Sequence, residues 1–164
     1  MTEIWRPSVT VAAVIERGGR FLLVEEEVDG RRVLNQPAGH LDPGESPLEG
    51  VVRETLEETA CAFAPESLLG IYLSRFRRPA TGEDVTYVRF AFAGSVGAPE
   101  PGRALDAGIV RTLWLTHAEV RASAARHRSP LVLQCIDDHA RGRRLPLDAI
   151  TTHASVRAPG DIGA

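Results

Sequence analysis

The segment GHLDPGESPLEGVVRETLEETAC, residues 39–61, decides how the rest of the chain is read. Its middle announces a helix: Ser46 is placed to cap, Pro47 suits the first helical position, and Glu49 stands where a capping box needs an acid. From there Leu48, Val51, Val52, Thr55, Leu56 and Thr59 recur at helical spacing, so one stripe faces a core. At about 100° per residue, Glu58 falls about 40° and Glu57 about 300° from Glu54, with the apolar stripe centred about 120° away. Three carboxylates therefore share one wall of a helix predicted over 46–59.

That wall is costly when left to itself. Glu54 and Glu58 are like charges one turn apart, and Glu57 and Glu58 sit in the last turn, where the negative end of the helix dipole disfavours anions by roughly 0.3–1 kcal/mol each. A divalent cation reverses both effects, because hard Mg²⁺ takes oxygen ligands and its charge dominates the local field. A solvated acidic face is the plain alternative. The upstream loop, 36–46, carries a type II turn signature at Asp42-Pro43-Gly44-Glu45 and brings Gly39 and Glu45 towards the same wall. Arg53 lies among the acids, placed to pair with them and to hold a carboxylate rotamer. Gly50 falls within the acidic face, where the missing side chain leaves room for an ion or a phosphate, or is simple drift.

Outward from this helix the chain alternates strand and turn signals. Residues 9–15 and 21–24 are β-branched apolar runs joined by Arg17-Gly18-Gly19-Arg20, a hairpin. Asp29-Gly30 turns the chain again, and 32–35 resumes an extended segment. Residues 68–76 and 85–93 read as a strand pair, 94–108 as a long Gly/Pro/Ala loop, and 109–115 as a last strand. Thr116 and Glu119 open a short helix with a second capping box, and Ser129-Pro130 opens a final one running to about residue 140. Strands with three helices and no regular βα alternation favour an α/β sandwich over a Rossmann sheet or a barrel. One domain is expected over 1–150, with 151–164 a loose tail.

Composition removes several classes. The 164 residues carry 19 basic against 22 acidic side chains, net −3, without the basic excess that a nucleic-acid polymer demands. Every basic residue is Arg, so Schiff-base chemistry, a phosphate-loop lysine and a Ser-Lys dyad are excluded. Cys61 and Cys135 stand alone, without a zinc pattern or a disulfide framework, and read as buried small hydrophobes. Residues 1–7 include Glu3 and Arg6, and no uncharged apolar run approaches the roughly 18 residues of a membrane span. A cytoplasmic protein with no membrane association, a monomer or homodimer, is expected.

Gly39, five residues, Glu45, seven residues, then Arg53-Glu54-Thr55-Leu56-Glu57-Glu58-Thr59-Ala60-Cys61 resembles the Nudix box, in which Gly, Glu and Arg-Glu-aliphatic-any-Glu-Glu-any-Gly-aliphatic recur at that spacing. Thr55 and Cys61 replace aliphatics, and Ala60 replaces the Gly that ends the helix in a left-handed conformation, a strain of about 1 kcal/mol unless the helix ends differently. Val9-Thr10-Val11-Ala12, Asn35-Gln36-Pro37-Ala38-Gly39-His40-Leu41, Tyr87-Val88-Arg89-Phe90, Arg128-Ser129-Pro130-Leu131-Val132 and Arg144-Leu145-Pro146-Leu147 are similar to small bacterial phosphatases of that family. The resemblance implies a Nudix-type α/β/α sandwich with a mixed β-sheet and Mg²⁺-dependent hydrolysis of phosphoanhydrides, with Mn²⁺ as a substitute ion. It implies nucleoside tri- and diphosphates and hydroxymethylpyrimidine diphosphate as substrates.

On the same pattern Gly39, Glu54, Glu57 and Glu58 hold the metal, and Glu54, Arg53 and Glu57 are the catalytic set, with Glu54 shared between metal binding and water activation. Glu45 supports the loop through Arg53. Asn35, Gln36, His40 and Arg89 are candidate substrate contacts, against the plainer readings of turn former, loop filler and sheet-edge charge. Tyr87 either packs or stacks on a base, Asp106 either completes a metal shell or is solvated, and Arg126-His127-Arg128 either meets an acidic ligand or is surface. Two other readings stay open: a pyrophosphatase for a nucleoside diphosphate sugar, ADP-ribose or dinucleoside polyphosphate, and a Nudix fold that only binds a nucleotide.

Overall fold

The computed structural model describes residues 4–78 and 81–157. β1 (Ser8–Arg17) runs through the centre of a seven-stranded mixed sheet. Along one edge it pairs in parallel with β6 (Asp84–Pro99), Ser8 opposite Tyr87 and Thr10 opposite Arg89. Along the other it meets β2 (Arg20–Val28) only at Glu16/Phe21 and Arg17/Arg20 before the strands part. β4 (Ala38–His40) takes up the vacated edge, Gly39 opposite Val11 and His40 opposite Thr10. β3 (Arg31–Asn35) and β7 (Ile109–Thr116) flank β2, and β5 (Cys61–Arg77) closes the far side against β6. The splay between β1 and β2 is what opens room for a site.

Both faces of the sheet are covered, which is why β1 reads as an unbroken apolar run instead of an alternating one. Val11, Ala13 and Ile15 pack with Leu22, Phe63, Phe92 and Val51 of α1 (Pro47–Thr59). Val14, Phe21 and Leu23 pack on the other side with Val120 of α2 (His117–Ala122) and Val132, Cys135 and Ile136 of α3 (Leu131–Ala140). The result is the expected α/β/α sandwich on a mixed sheet. Both capping boxes form, Ser46 with Glu49 and Thr116 with Glu119. Cys61 and Cys135 are buried free thiols. Among the described residues no helix is long and apolar enough to cross a membrane.

Two elements differ from expectation. β5 and β6 extend through 61–67, outside the strand expected over 68–76, and through 94–99, which read as loop because of Gly94, Gly97 and Pro99. Gly94 sits opposite Pro65, and a Cβ there would lie 2.2 Å from the Ala64 carbonyl oxygen, so this glycine permits close strand contact at a bulge. In the segment expected as a tail, Ala154–Val156 forms a 3₁₀ turn and Arg157 pairs with Glu49 at 2.7 Å, while 158–164 lie outside the described residues.

Candidate active site

The acidic wall of α1 faces β4. Gly39 lies so close that a Cβ on it would fall 2.1 Å from the Glu54 carboxyl carbon, so any side chain there would displace the Glu54 carboxylate from this position. Glu54 and Glu58 are both more than nine-tenths buried, an unusual state for charged side chains. One oxygen of Glu58 accepts the Ala38 N–H at 2.8 Å. Burial pushes the Glu58 carboxyl up to about 8, and the charges of Glu26, Glu54 and Asp106 push the same way. Burial also raises Glu54, against the opposing pull of Arg53.

Arg53 organises the remainder. Its guanidinium donates to both oxygens of Glu45 at 3.0 and 2.7 Å, to Glu54 at 2.8 Å, to Glu57 at 3.1 Å and to the His40 carbonyl at 3.0 Å. Glu45 is thereby held below the usual carboxylate range, and Arg53 above the ordinary guanidinium value. Glu45 also accepts the Asp42 N–H at 2.7 Å, so the expected loop-supporting role is what its contacts perform. Gly50 serves this same clasp: a Cβ on it would meet Glu45 Oε1 at 2.9 Å and Leu41 Cδ1 at 3.1 Å. The space at Gly50 is filled by protein and is not open to an ion. Asp106 reaches the wall from the loop after β6, its N–H donating to the Glu57 carbonyl at 3.0 Å.

Beside the wall, on the α3 side of the sheet, opens a pocket of about 170 Å³ lined by Gly39, His40, Asn35, Arg89, Tyr87 and Arg128 among others. Arg89 is buried in its floor, donating to Gln36 Oε1 at 3.1 Å and Asn35 Oδ1 at 3.4 Å, and burial lowers its affinity for its proton. Gln36 does not reach the pocket. It is almost fully buried, and its amide nitrogen donates to the Val132 carbonyl at 2.8 Å, so it braces Arg89 against α3. Asn35 passes its amide nitrogen to Glu26 at 2.9 Å, and Glu26 stands 3.8 Å from Arg128. Glu26 is a charged pocket residue that sequence reading missed, as it missed Thr10, Ser74 and Phe76; in the run Glu25-Glu26-Glu27 nothing separates it from a solvated strand face.

The donor set suits a hard divalent cation: carboxylates from Glu54, Glu57 and Glu58 beside a glycine backbone. Among the described residues no group of three or more His, Cys, Asp or Glu side chains stands at ligand spacing; Arg53 bonds Glu54 and Glu57, and the Ala38 N–H bonds Glu58. The fit rests on the burial of Glu54 and Glu58 and on the cradle at Gly39, where crowded anions need a cation to be inexpensive.

A layered sheet with an acidic helix clasped to a glycine strand defines a class of hydrolase. Residues 5–135 match the NUDIX domain, and the chain belongs to the Nudix hydrolase family. It is 34% identical over 147 residues to the phosphatase NudJ of Escherichia coli K12, covering 90% of this chain and 92% of that relative. A solved Nudix hydrolase from Nitrosomonas europaea is 50% identical with a TM-score of 0.83, covering 90% of this chain and 98% of the other. The Nudix domain of Shewanella oneidensis NrtR, solved with ADP-ribose, shares the fold at 18% identity and a TM-score of 0.65, over 85% and 90% of the two chains.

Proposed function

We propose that this Nudix hydrolase is a cytoplasmic, Mg²⁺-dependent enzyme that cleaves nucleoside tri- and diphosphates, and hydroxymethylpyrimidine diphosphate, through one domain spanning 1–150. The observation that carries the reading is the pair of buried carboxylates on α1, Glu54 packed against Gly39 and Glu58 bonded to the Ala38 N–H. Similarity to NudJ over nine-tenths of the chain supports the phosphatase class. The two free thiols agree with a reducing compartment.

In this reading Glu54, Glu57, Glu58 and Gly39 hold Mg²⁺, and Mn²⁺ in its place. When bound, the ion neutralises phosphate oxygens and lowers the pKa of a neighbouring water. Arg53 orients Glu54 and Glu57 through its hydrogen bonds and keeps the Gly39–Glu45 loop closed on the helix. Glu54, its carboxyl raised by burial, accepts the proton of the attacking water. Arg89, fixed by Asn35 and Gln36, presents a cation to the substrate's phosphates, with His40 alongside. A pocket of about 170 Å³, smaller than the roughly 300 Å³ of a drug-sized site, takes part of a substrate.

Product analysis tests this. Orthophosphate released from nucleoside triphosphates with Mg²⁺ supports the phosphatase reading. A monophosphate plus pyrophosphate, or two monophosphates from a sugar- or ribose-linked diphosphate, supports a pyrophosphatase. No turnover on any of them leaves nucleotide binding alone.

A further inference from the structure

Next to Glu26 in the chain, Glu25 is a buried carboxylate that the hydrolytic machinery does not touch. It is 2% exposed, yet its oxygens meet Arg126, Arg111 at 2.9 Å and Arg32 at 3.8 Å. Resting on the hydrolase reading above, we propose that Glu25, through Arg126, is the positioning residue that seats Arg128 in the pocket, where Arg128 meets an anionic group of the substrate outside the acidic wall. Of the cluster Arg126-His127-Arg128, Arg126 is turned onto Glu25 and Arg128 onto the pocket. One arginine holds the segment and the other is left to a ligand.

Strand register shows how the seat is built. On β2, Glu25 stands between Arg111 of β7 and Leu34 of β3. Leu34 bridges in parallel to His127, and its carbonyl accepts the Arg128 N–H at 2.8 Å. The 3₁₀ turn Ala124–Arg126 just before this bridge delivers the Arg126 guanidinium to Glu25, 101 residues away in the chain. Arg128, Ser129 and Leu131 then line the pocket. Apolar side chains of similar volume often hold a fold as well as a buried ion cluster does, and Arg111 alone balances the charge of Glu25. What Arg126 adds is a tether on the segment that forms one pocket wall. The charges of the pocket suit an anion: its lining sets Arg89 and Arg128 against one acid, Glu26. Arg89 donates to the amide oxygens of Gln36 and Asn35, not to a carboxylate. Arg128 stands 3.8 Å from Glu26, beyond hydrogen-bond reach, while Asn35 donates to the other Glu26 oxygen. A guanidinium so held presents its fork to phosphate or carboxylate oxygens.

The experiment is a double-mutant cycle on the full chain with Mg²⁺, reading KM and kcat for ATP and ADP. The variants are Arg128→Ala, Glu25→Gln and Arg126→Ala, with each of the last two also combined with Arg128→Ala. Arg128→Ala raises KM about tenfold and keeps kcat within about twofold, as loss of one charge-assisted contact to the bound substrate predicts. Glu25→Gln and Arg126→Ala each raise KM by about threefold or more alone, and by less than about twofold once Arg128 is alanine. A seat that is merely structural raises KM equally in both backgrounds; that result, or an unchanged KM in Arg128→Ala, overturns the inference. Arg126→Ala alters a half-exposed side chain and decides the cycle where Glu25→Gln fails to fold. A wild-type chain that hydrolyses neither nucleotide contradicts the hydrolase reading instead. The same cycle is then read as calorimetric affinity for ADP: non-additive losses support the seat, and additive losses or no binding at all overturn it.

Discussion

Arg53 makes five hydrogen bonds with its five N–H donors, to Glu45 twice, Glu54, Glu57 and the His40 carbonyl. One planar fork thus ties the loop after β4 to two carboxylates on successive turns of α1. A lysine keeps the charge, offers three donors and lacks the fork. Arg53→Lys is expected to leave the sheet intact and lower Mg²⁺-dependent turnover by about 10–100-fold, the usual range for residues that orient metal ligands, as steady-state rates will show. The helix spacing already placed Arg53 among the acids, but its bonds to both Glu45 and the His40 carbonyl depend on how the loop folds back. Gly50 shows the limit of the same reasoning: the gap on the helix face was legible, and what fills it was not, since Glu45 and Leu41 arrive from outside the helix.

At the scale of the element, α1 is specified from both ends. The Ser46–Glu49 box starts it, and Ala60 ends it in the left-handed region at φ 59° with its N–H on the Leu56 carbonyl. A Cβ in that conformation is strained, so Ala60→Gly should stabilise the fold by about 1 kcal/mol in denaturant titration. Helix ends and hairpin turns were legible because their chemistry is local. The lengths of β5 and β6 were not, because Gly94 and Pro65 signal a loop by composition, yet serve a bulge that only the partner strand defines. Glu25 was equally hidden: within an acidic strand it looks solvated, but it is buried, bonded to Arg111 at 2.9 Å and to Arg126, and its carboxyl is held below the usual range by those arginines. Of the site, the carboxylates and Gly39 were readable from spacing, whereas Glu26 and the bracing role of Gln36 depend on contacts with residues distant in sequence.

For the molecule as a whole, the acidic wall couples folding to protons and metal. Glu58 rises from 4.5 to about 8 on folding, so the folded chain holds this proton more tightly. Its contribution to stability is fully present below the unfolded value of 4.5 and is lost as pH climbs through about 8. Glu45 and Glu25, both lowered, act in the opposite sense and favour the fold above their unfolded values. Subtracting a Glu58→Gln variant isolates the first effect. Without metal, wild type should lose stability relative to the variant between about pH 5 and about pH 8 in urea titrations, and Mg²⁺ should remove that deficit in the wild type alone.

The most direct measurement is calorimetric titration of Mg²⁺ into the wild-type chain and into Glu57→Gln and Glu58→Gln. The wild type is expected to bind the ion, and both variants to bind it far more weakly while keeping the native circular dichroism spectrum. A wild-type chain that takes up no Mg²⁺, or variants that bind it as well as the wild type, would contradict the assignment of the α1 carboxylates as its ligands.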